Sequence, residues 1–139
     1  MLDKNQTIYY HLAVRVFKTK RFSRLAQKEE ITDDELLSIV TNVLEKDNAD
    51  ANLGGEVFKV RIARENEGKS SGYRVILFFR KGERTFFQYL FPKSEKDNID
   101  QKELRNYKKL ARYMLSMTDA EISGQLKEGN IQEIERRQP

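Results

Sequence analysis

Six cations and two tyrosines between positions 59 and 93 are the residues of this chain best suited to chemistry: Lys59, Arg61, Lys69, Arg74, Arg80 and Lys93, with Tyr73 and Tyr89 among them. Ammonium and guanidinium groups neutralise phosphates and an aromatic ring stacks on a base, so the set suits a polyanion carrying planar groups, for which nucleic acid is the leading candidate. Cutting RNA through its own 2′-hydroxyl would need a proton acceptor, a proton donor and positive charge to stabilise the phosphorane. Crowded Lys and Arg supply the charge, and a Lys or Tyr of lowered pKa is the candidate acceptor. The competing reading is a solvated sheet face on which long cationic side chains cover apolar edges.

Other chemistries lack their residues. The chain has no cysteine, which removes disulfides, thiolate nucleophiles and zinc-thiolate sites together. His11 is the only histidine, so neither a two-histidine ribonuclease nor a multi-histidine metal site can be built. Ser23, Ser38 and Ser116 therefore have no plausible histidine relay. Gly68-Lys69-Ser70 looks like the end of a phosphate-binding loop, but its spacing demands glycine at position 63, where Ala63 stands, and a strand follows instead of a helix. Asp33-Asp34 reads as first-turn helix charge in preference to a metal site. No metal or cofactor is expected.

The charge is unevenly placed. Residues 53–93 carry 9 Lys+Arg against 4 Asp+Glu, while residues 1–52 carry 8 against 9 and residues 94–139 carry 9 against 9. The basic stretch also holds Phe58, Phe78, Phe79, Phe86, Phe87 and Phe91, so a basic, aromatic sheet lies between charge-balanced flanks. With 139 residues, the chain fits one domain with a real core. Its longest apolar run, Val75 to Phe79, falls far short of the ~20 residues of a membrane helix. The N-terminus offers no apolar signal core, and a cytoplasmic protein without membrane contact is expected.

The elements that must position these residues follow from periodicity and caps. Leu12 to Phe17 reads as a strand, and a helix is expected from about Ser23 to Lys28. Thr32-Asp33-Asp34-Glu35 has the form of a capping box and opens a helix burying Leu36, Ile39, Val40, Val43 and Leu44, to end near Asp47-Asn48. After Gly54-Gly55, Val57 to Arg64 alternates: Phe58, Val60 and Ile62 face a core, and Lys59 and Arg61 face away from it, side by side. Tyr73 to Arg80 is apolar on both faces, as a central strand would be, and a hairpin turn at Arg80-Lys81-Gly82-Glu83 leads into Thr85 to Phe91. Asp100-x-x-Glu103 opens a helix with Leu104, Tyr107, Leu110, Ala111 and Met114 as its buried stripe. Thr118-Asp119-Ala120-Glu121 opens a short last helix that Gly129 ends. The chain reads as one domain over 1–139, with a loose N-terminus of about ten residues and a helical extension over about 118–139.

Lys59-Val60-Arg61-Ile62-Ala63, then Gly68-Lys69-Ser70-Ser71-Gly72-Tyr73-Arg74 before a Val-Ile-Leu-Phe strand, then Phe91-Pro92-Lys93-Ser94-Glu95-Lys96-Asp97-Asn98 after a hairpin, together resemble the RelE/HigB group of toxins from bacterial type II toxin–antitoxin modules. The group's pattern is K-x-R-x-A, G-K-x-G-G-x-R and a later K-N-E-x-x-N, and the resemblance covers roughly residues 12–115. The last helix resembles an extension in a longer, phage-associated branch. The resemblance implies an α/β fold of the α+β type: two N-terminal helices against a curved, mainly antiparallel sheet, with further helices packed on it. It implies an endoribonuclease that cleaves mRNA on the ribosome and a cognate antitoxin as partner. Lys59, Arg61, Arg74 and Lys93 fall on the catalytic positions, with Lys69, Tyr73, Arg80 and Tyr89 as RNA contacts. Two positions depart from the pattern, Ser71 for the first glycine of the pair and Ser94 for the asparagine. RNA-cleaving RelE carries arginine in place of Ser94 and a tyrosine near the next helix start, where this chain has Asp100 and its neighbours. Tyr73 and Tyr89 are the candidates to substitute for that tyrosine. A ParE-like or regulatory protein of the same fold, binding without cutting, is the alternative.

Overall fold

A strand apolar on both faces must be covered on both, and this requirement organises the molecule. The computed structural model describes residues 14–63, 72–95 and 99–135. Its elements run β1 (Arg15–Thr19), α1 (Lys20–Lys28), α2 (Asp33–Ile39) prolonged by a π-helical turn Val40–Leu44, β2 (Ala51–Gly54), β3 (Val57–Ile62), β4 (Tyr73–Arg80), β5 (Arg84–Pro92), α3 (Gln101–Leu115), α4 (Asp119–Glu128) and β6 (Ile131–Ile134). One six-stranded sheet holds them in the order β2-β3-β4-β5-β1-β6. Every neighbouring pair is antiparallel except β1 with β5, which is parallel. The mainly antiparallel α+β fold matches expectation.

The sheet separates two cores. Val60, Ile62, Val75, Leu77, Phe79, Phe87 and Leu90 meet Phe22 and Ala26 of α1 and Leu36 and Ile39 of α2 on one face. Val57, Ile76, Phe78 and Phe86 meet Tyr107, Ala111, Met114 and Leu115 of α3 and Ile122 of α4 on the other. Lys59 and Arg61 lie on the face opposite Val60 and Ile62, as expected, and that face carries a second core of its own. The period-two alternation of β3 registers only which face each residue takes, and α3, some forty residues later, supplies the cover.

All three capping boxes form, at Thr32/Glu35, Asp100/Glu103 and Thr118/Glu121. In each, the side chain of the first residue accepts a backbone N–H three positions on, and the glutamate accepts the N–H of the first. Elsewhere the boundaries shift. The first strand begins at Arg15, with Leu12 and Ala13 outside the described residues. The helix expected from Ser23 starts at Lys20, because the Thr19 hydroxyl accepts the Phe22 N–H at 3.1 Å and caps it there. The second helix leaves α-geometry at Val40, and Asp47, at φ +57°, turns the chain away.

The last helix ends at Glu128, before Gly129 as expected, but the extension read as helical over about 118–139 continues as a strand. Gly129 takes the left-handed conformation, φ +76°, that ends such a helix without a Cβ clash. Ile131–Ile134 then pairs antiparallel with β1. Three positions apart on a strand, Ile131 and Ile134 point to opposite faces, and each is buried in a different core. Arg15 of β1 donates two hydrogen bonds of 2.8 Å to the carboxylate of Glu133, fixing the pairing further. No helix among the described residues is long and apolar enough to cross a membrane.

Candidate functional site

The β3–β4 ladder sets Arg61 directly opposite Arg74, and Lys59 opposite Ile76. Through β4 to β5 the same rows continue to Phe91 and Tyr89. Residues directly opposite in a ladder share a face, so Lys59, Arg61, Arg74, Tyr89 and Phe91 lie together on the α3 side. Phe91 is buried, Arg61 is exposed, and Lys59, Arg74 and Tyr89 are half-buried. The Tyr89 and Phe91 rings sit 5.6 Å apart, tilted by 36°. Arg61's backbone N–H donates to the Asp50 carboxylate, which ties this strand to the segment before β2.

Lys93 stands one residue past β5, half-buried, and its backbone N–H donates to the Gly72 carbonyl at 3.0 Å. It thus borders the start of β4, where Arg74 lies. Lys69 falls outside the described residues, as does His11.

Two of the sequence candidates are elsewhere. Tyr73 is on the opposite face, packed against the α1/α2 core, and its hydroxyl donates to Glu29 at 2.5 Å. Adjacent strand residues point to opposite faces, so Tyr73 and Arg74 cannot join the same surface. Arg80 shares the face of Arg74 but lies six residues along β4, about 20 Å away. There it donates to both carboxylate oxygens of Glu56, at 2.8 and 2.7 Å, and to the Leu115 carbonyl at 3.1 Å. The hydrogen bonds from Arg80 hold the Glu56 carboxyl below the usual carboxylate range, and the same bonds raise Arg80. Arg80 is a clamp between the β2–β3 turn and the end of α3.

Charge is thus sorted along the sheet. At one end Arg15 meets Glu133, Arg80 meets Glu56, and Arg84 meets Asp119 at 3.2 Å. At the other end, among the described residues, the Arg74 guanidinium donates to the carbonyl of its neighbour Tyr73, at 3.5 Å. Arg61 faces Arg74 across the ladder, so both cationic side chains start from directly opposite positions on one face, the placement from which two guanidiniums can engage one oxyanion.

Sequence reasoning missed one member of this end of the sheet. The Arg21 guanidinium of α1 lies over the Tyr89 ring, 4.0 Å from its centroid. A cation stacked on an aromatic face extends the planar surface on which a base can lie. Arg21 reaches Tyr89 because β1 runs parallel to β5 and Thr19, where β1 ends, donates to the Gln88 carbonyl. Nothing local to either residue signals the contact.

The site also depends on a close approach of two strands. A Cβ on Gly72 would come 2.6 Å from the Ile62 carbonyl oxygen, an atom of the backbone that cannot swing aside. Gly72→Ala is therefore expected to force β3 and β4 apart beside the Arg61/Arg74 row, at a cost of about 1–3 kcal/mol. A Cβ on Gly124, mid-way along α4, would meet nothing within 4 Å. Gly124→Ala is expected to stabilise by about 0.5–1 kcal/mol. Urea denaturation of both variants checks the pair, and equal midpoints would refute it.

A family model described as the RelE toxin of the RelE/RelB toxin–antitoxin system matches residues 14–134. The match takes in α4 and β6, beyond the stretch of about 12–115 that carries the sequence resemblance. No curated protein matches the chain.

Proposed function

The chain belongs to the RelE toxin family, and from that premise we propose that it arrests translation by cleaving mRNA on the ribosome, with the Arg61/Arg74 end of its sheet as the cutting surface. As a RelE-type toxin of a toxin–antitoxin module it has an antitoxin as its protein partner. The observation that carries the cleavage reading is the direct opposition of Arg61 and Arg74, with Lys59 on the same face and the Tyr89 and Phe91 rings beside them.

In this reaction the RNA supplies its own nucleophile. The 2′-oxygen attacks the adjacent phosphorus as its proton passes to a base on the protein. The bond from phosphorus to the 5′-oxygen then breaks as that oxygen takes up a proton, leaving a 2′,3′-cyclic phosphate and a 5′-hydroxyl. Negative charge grows on the non-bridging oxygens between these steps. Two arginines on directly opposite positions of the ladder supply guanidiniums to stabilise that charge. Lys59, Lys93 and Tyr89 are the groups from which the proton acceptor and donor are drawn, and Tyr89 with Arg21 offers the stacking surface for a base.

Purified protein added to a translating extract, followed by primer extension on the message, tests the reading. New 5′ ends within the translated region, appearing only with ribosomes, are expected. Arrest without such ends, or inhibition of gyrase in place of translation, would replace the proposal with a toxin that acts by binding.

A further inference from the structure

β6 walls a cavity as well as ending the sheet. About 520 Å³ in volume, the cavity lies where β1 passes into α1, beside the start of α2, with Gln132 of β6 on one side. Lys18, Lys20 and Arg24 bring three cations to it, and Asp33 is the single acid among the described lining residues. Lys18 donates to Asp33 at 2.7 Å, so that carboxylate is already engaged. Lys20 and Arg24 are exposed, and among the described residues neither makes an ion pair, unlike Arg15, Arg80 and Arg84. Three cations against one carboxylate leave the cavity with a net charge of +2. Neutral groups complete the lining. The Ser23 hydroxyl donates to Gln132 Oε1 at 3.3 Å, which leaves the N–H groups of that amide for a ligand. Ala26 and Ile31, both buried, form an apolar floor.

We propose that this cavity binds a small phosphomonoester, of the size of a nucleoside 5′-monophosphate. Its volume falls in the range of about 300–1,000 Å³ typical of small-molecule sites. A phosphomonoester carries a charge of about −1.5 to −2 at neutral pH, which matches the net charge of the lining. Arg24 can hold two phosphate oxygens in its donor fork, and Lys20 adds a point charge beside it. A bare phosphate would leave most of the space unfilled, whereas an organic group attached to it reaches the apolar floor and the Gln132 amide. The backbone of the walls is fixed in advance. The Lys20 N–H donates to the Asn130 carbonyl at 3.0 Å, and β6 is paired with β1. Ala26 and Ile31 belong to the α1/α2 core, and Lys59, Arg61 and Arg74 lie on the α3 side of the sheet, so this site is separate from the cutting surface. The proposal therefore does not rest on the cleavage reading.

Calorimetric titration of the full chain, without ribosomes, tests it with three probes: adenosine 5′-monophosphate, inorganic phosphate and adenosine. The monophosphate is expected to bind with a Kd of roughly 0.1–1 mM, inorganic phosphate about tenfold more weakly, and adenosine not measurably. The double variant Lys20→Gln and Arg24→Gln should lose at least about thirtyfold in affinity for the monophosphate. Both substitutions are of exposed side chains, so its thermal midpoint should stay that of the wild type. The double variant Arg61→Ala and Arg74→Ala, altered at the cutting surface, should bind the monophosphate as the wild type does. No binding by the wild type, equal affinity in the Lys20/Arg24 variant, or loss of binding in the Arg61/Arg74 variant would each overturn the proposal. Inorganic phosphate binding as tightly as the monophosphate would reduce the cavity to a patch for simple anions and overturn it too. If the monophosphate binds as described while no message is cut in the extract, the cavity stands and the cleavage reading falls.

Discussion

Arg74→Ala is expected to lower the rate of message cleavage by about 10²- to 10³-fold, the usual cost, ~3–4 kcal/mol, of removing one donor that stabilises charge in a transition state. The fold should survive. Arg74 is half-buried at a sheet end and, among the described residues, donates a 3.5 Å hydrogen bond to a neighbouring carbonyl. Substitutions of partly exposed charges away from core packing usually change stability by under about 0.5 kcal/mol, and Arg74→Ala should do the same. Arg61→Ala should behave alike, since the two are partners across one row, and the double variant should cost less than the sum because a single oxyanion engages both. Growth after induction, single-turnover cleavage on ribosomes and circular dichroism, taken on the same preparations, decide the matter. A folded Arg74→Ala protein that still cuts at the wild-type rate would leave the arginine pair without a catalytic role.

The second large effect belongs to the C-terminus. Ending the chain at Asn130 removes β6, and with it two isoleucines buried in different cores, the bidentate Arg15–Glu133 pair and the antiparallel partner of β1 from Val16 to Thr19. Losing a single buried isoleucine side chain costs about 2–5 kcal/mol. Two of them approach the whole stability of an ordinary domain, about 5–15 kcal/mol. The truncated protein is expected to be largely unfolded or aggregated at 37 °C. A truncated protein that melts within a few degrees of the full chain would show that β6 is an accessory strand.

Much of this fold is legible in the sequence because its signals are local. A capping box needs four residues, so all three helix starts they mark are correct. The apolar run of β4 is equally plain. β2 and β6 have four residues each, too few for alternation to stand out, and they exist because longer strands offer them an edge. The site divides in the same way. Arg61 and Arg74 can be paired from the spacing of β3 and β4 about one hairpin. Tyr73 could have been excluded by parity, since it adjoins Arg74, but a strand buried on both faces hides which of its neighbours is functional. Arg80 passes the parity test, and only Glu56, brought in by another turn, reveals it as structural. Arg21 and Tyr89 are 68 positions apart in sequence, and their contact exists only because β1 inserts beside β5.

That insertion also sets a timetable. The strands β2 to β5 are joined by successive hairpins and can assemble from neighbouring residues, within microseconds for each turn. β1 cannot take its place until β5 exists, nearly seventy residues later, and its other neighbour comes later still. Pairing across such distances is what makes folding slow. During synthesis, then, the earliest strand must wait, unpaired, while the surface that carries Arg61 and Arg74 takes shape without it. β6, on the far edge of β1, follows later still, so the sheet is complete only once synthesis has passed Ile134.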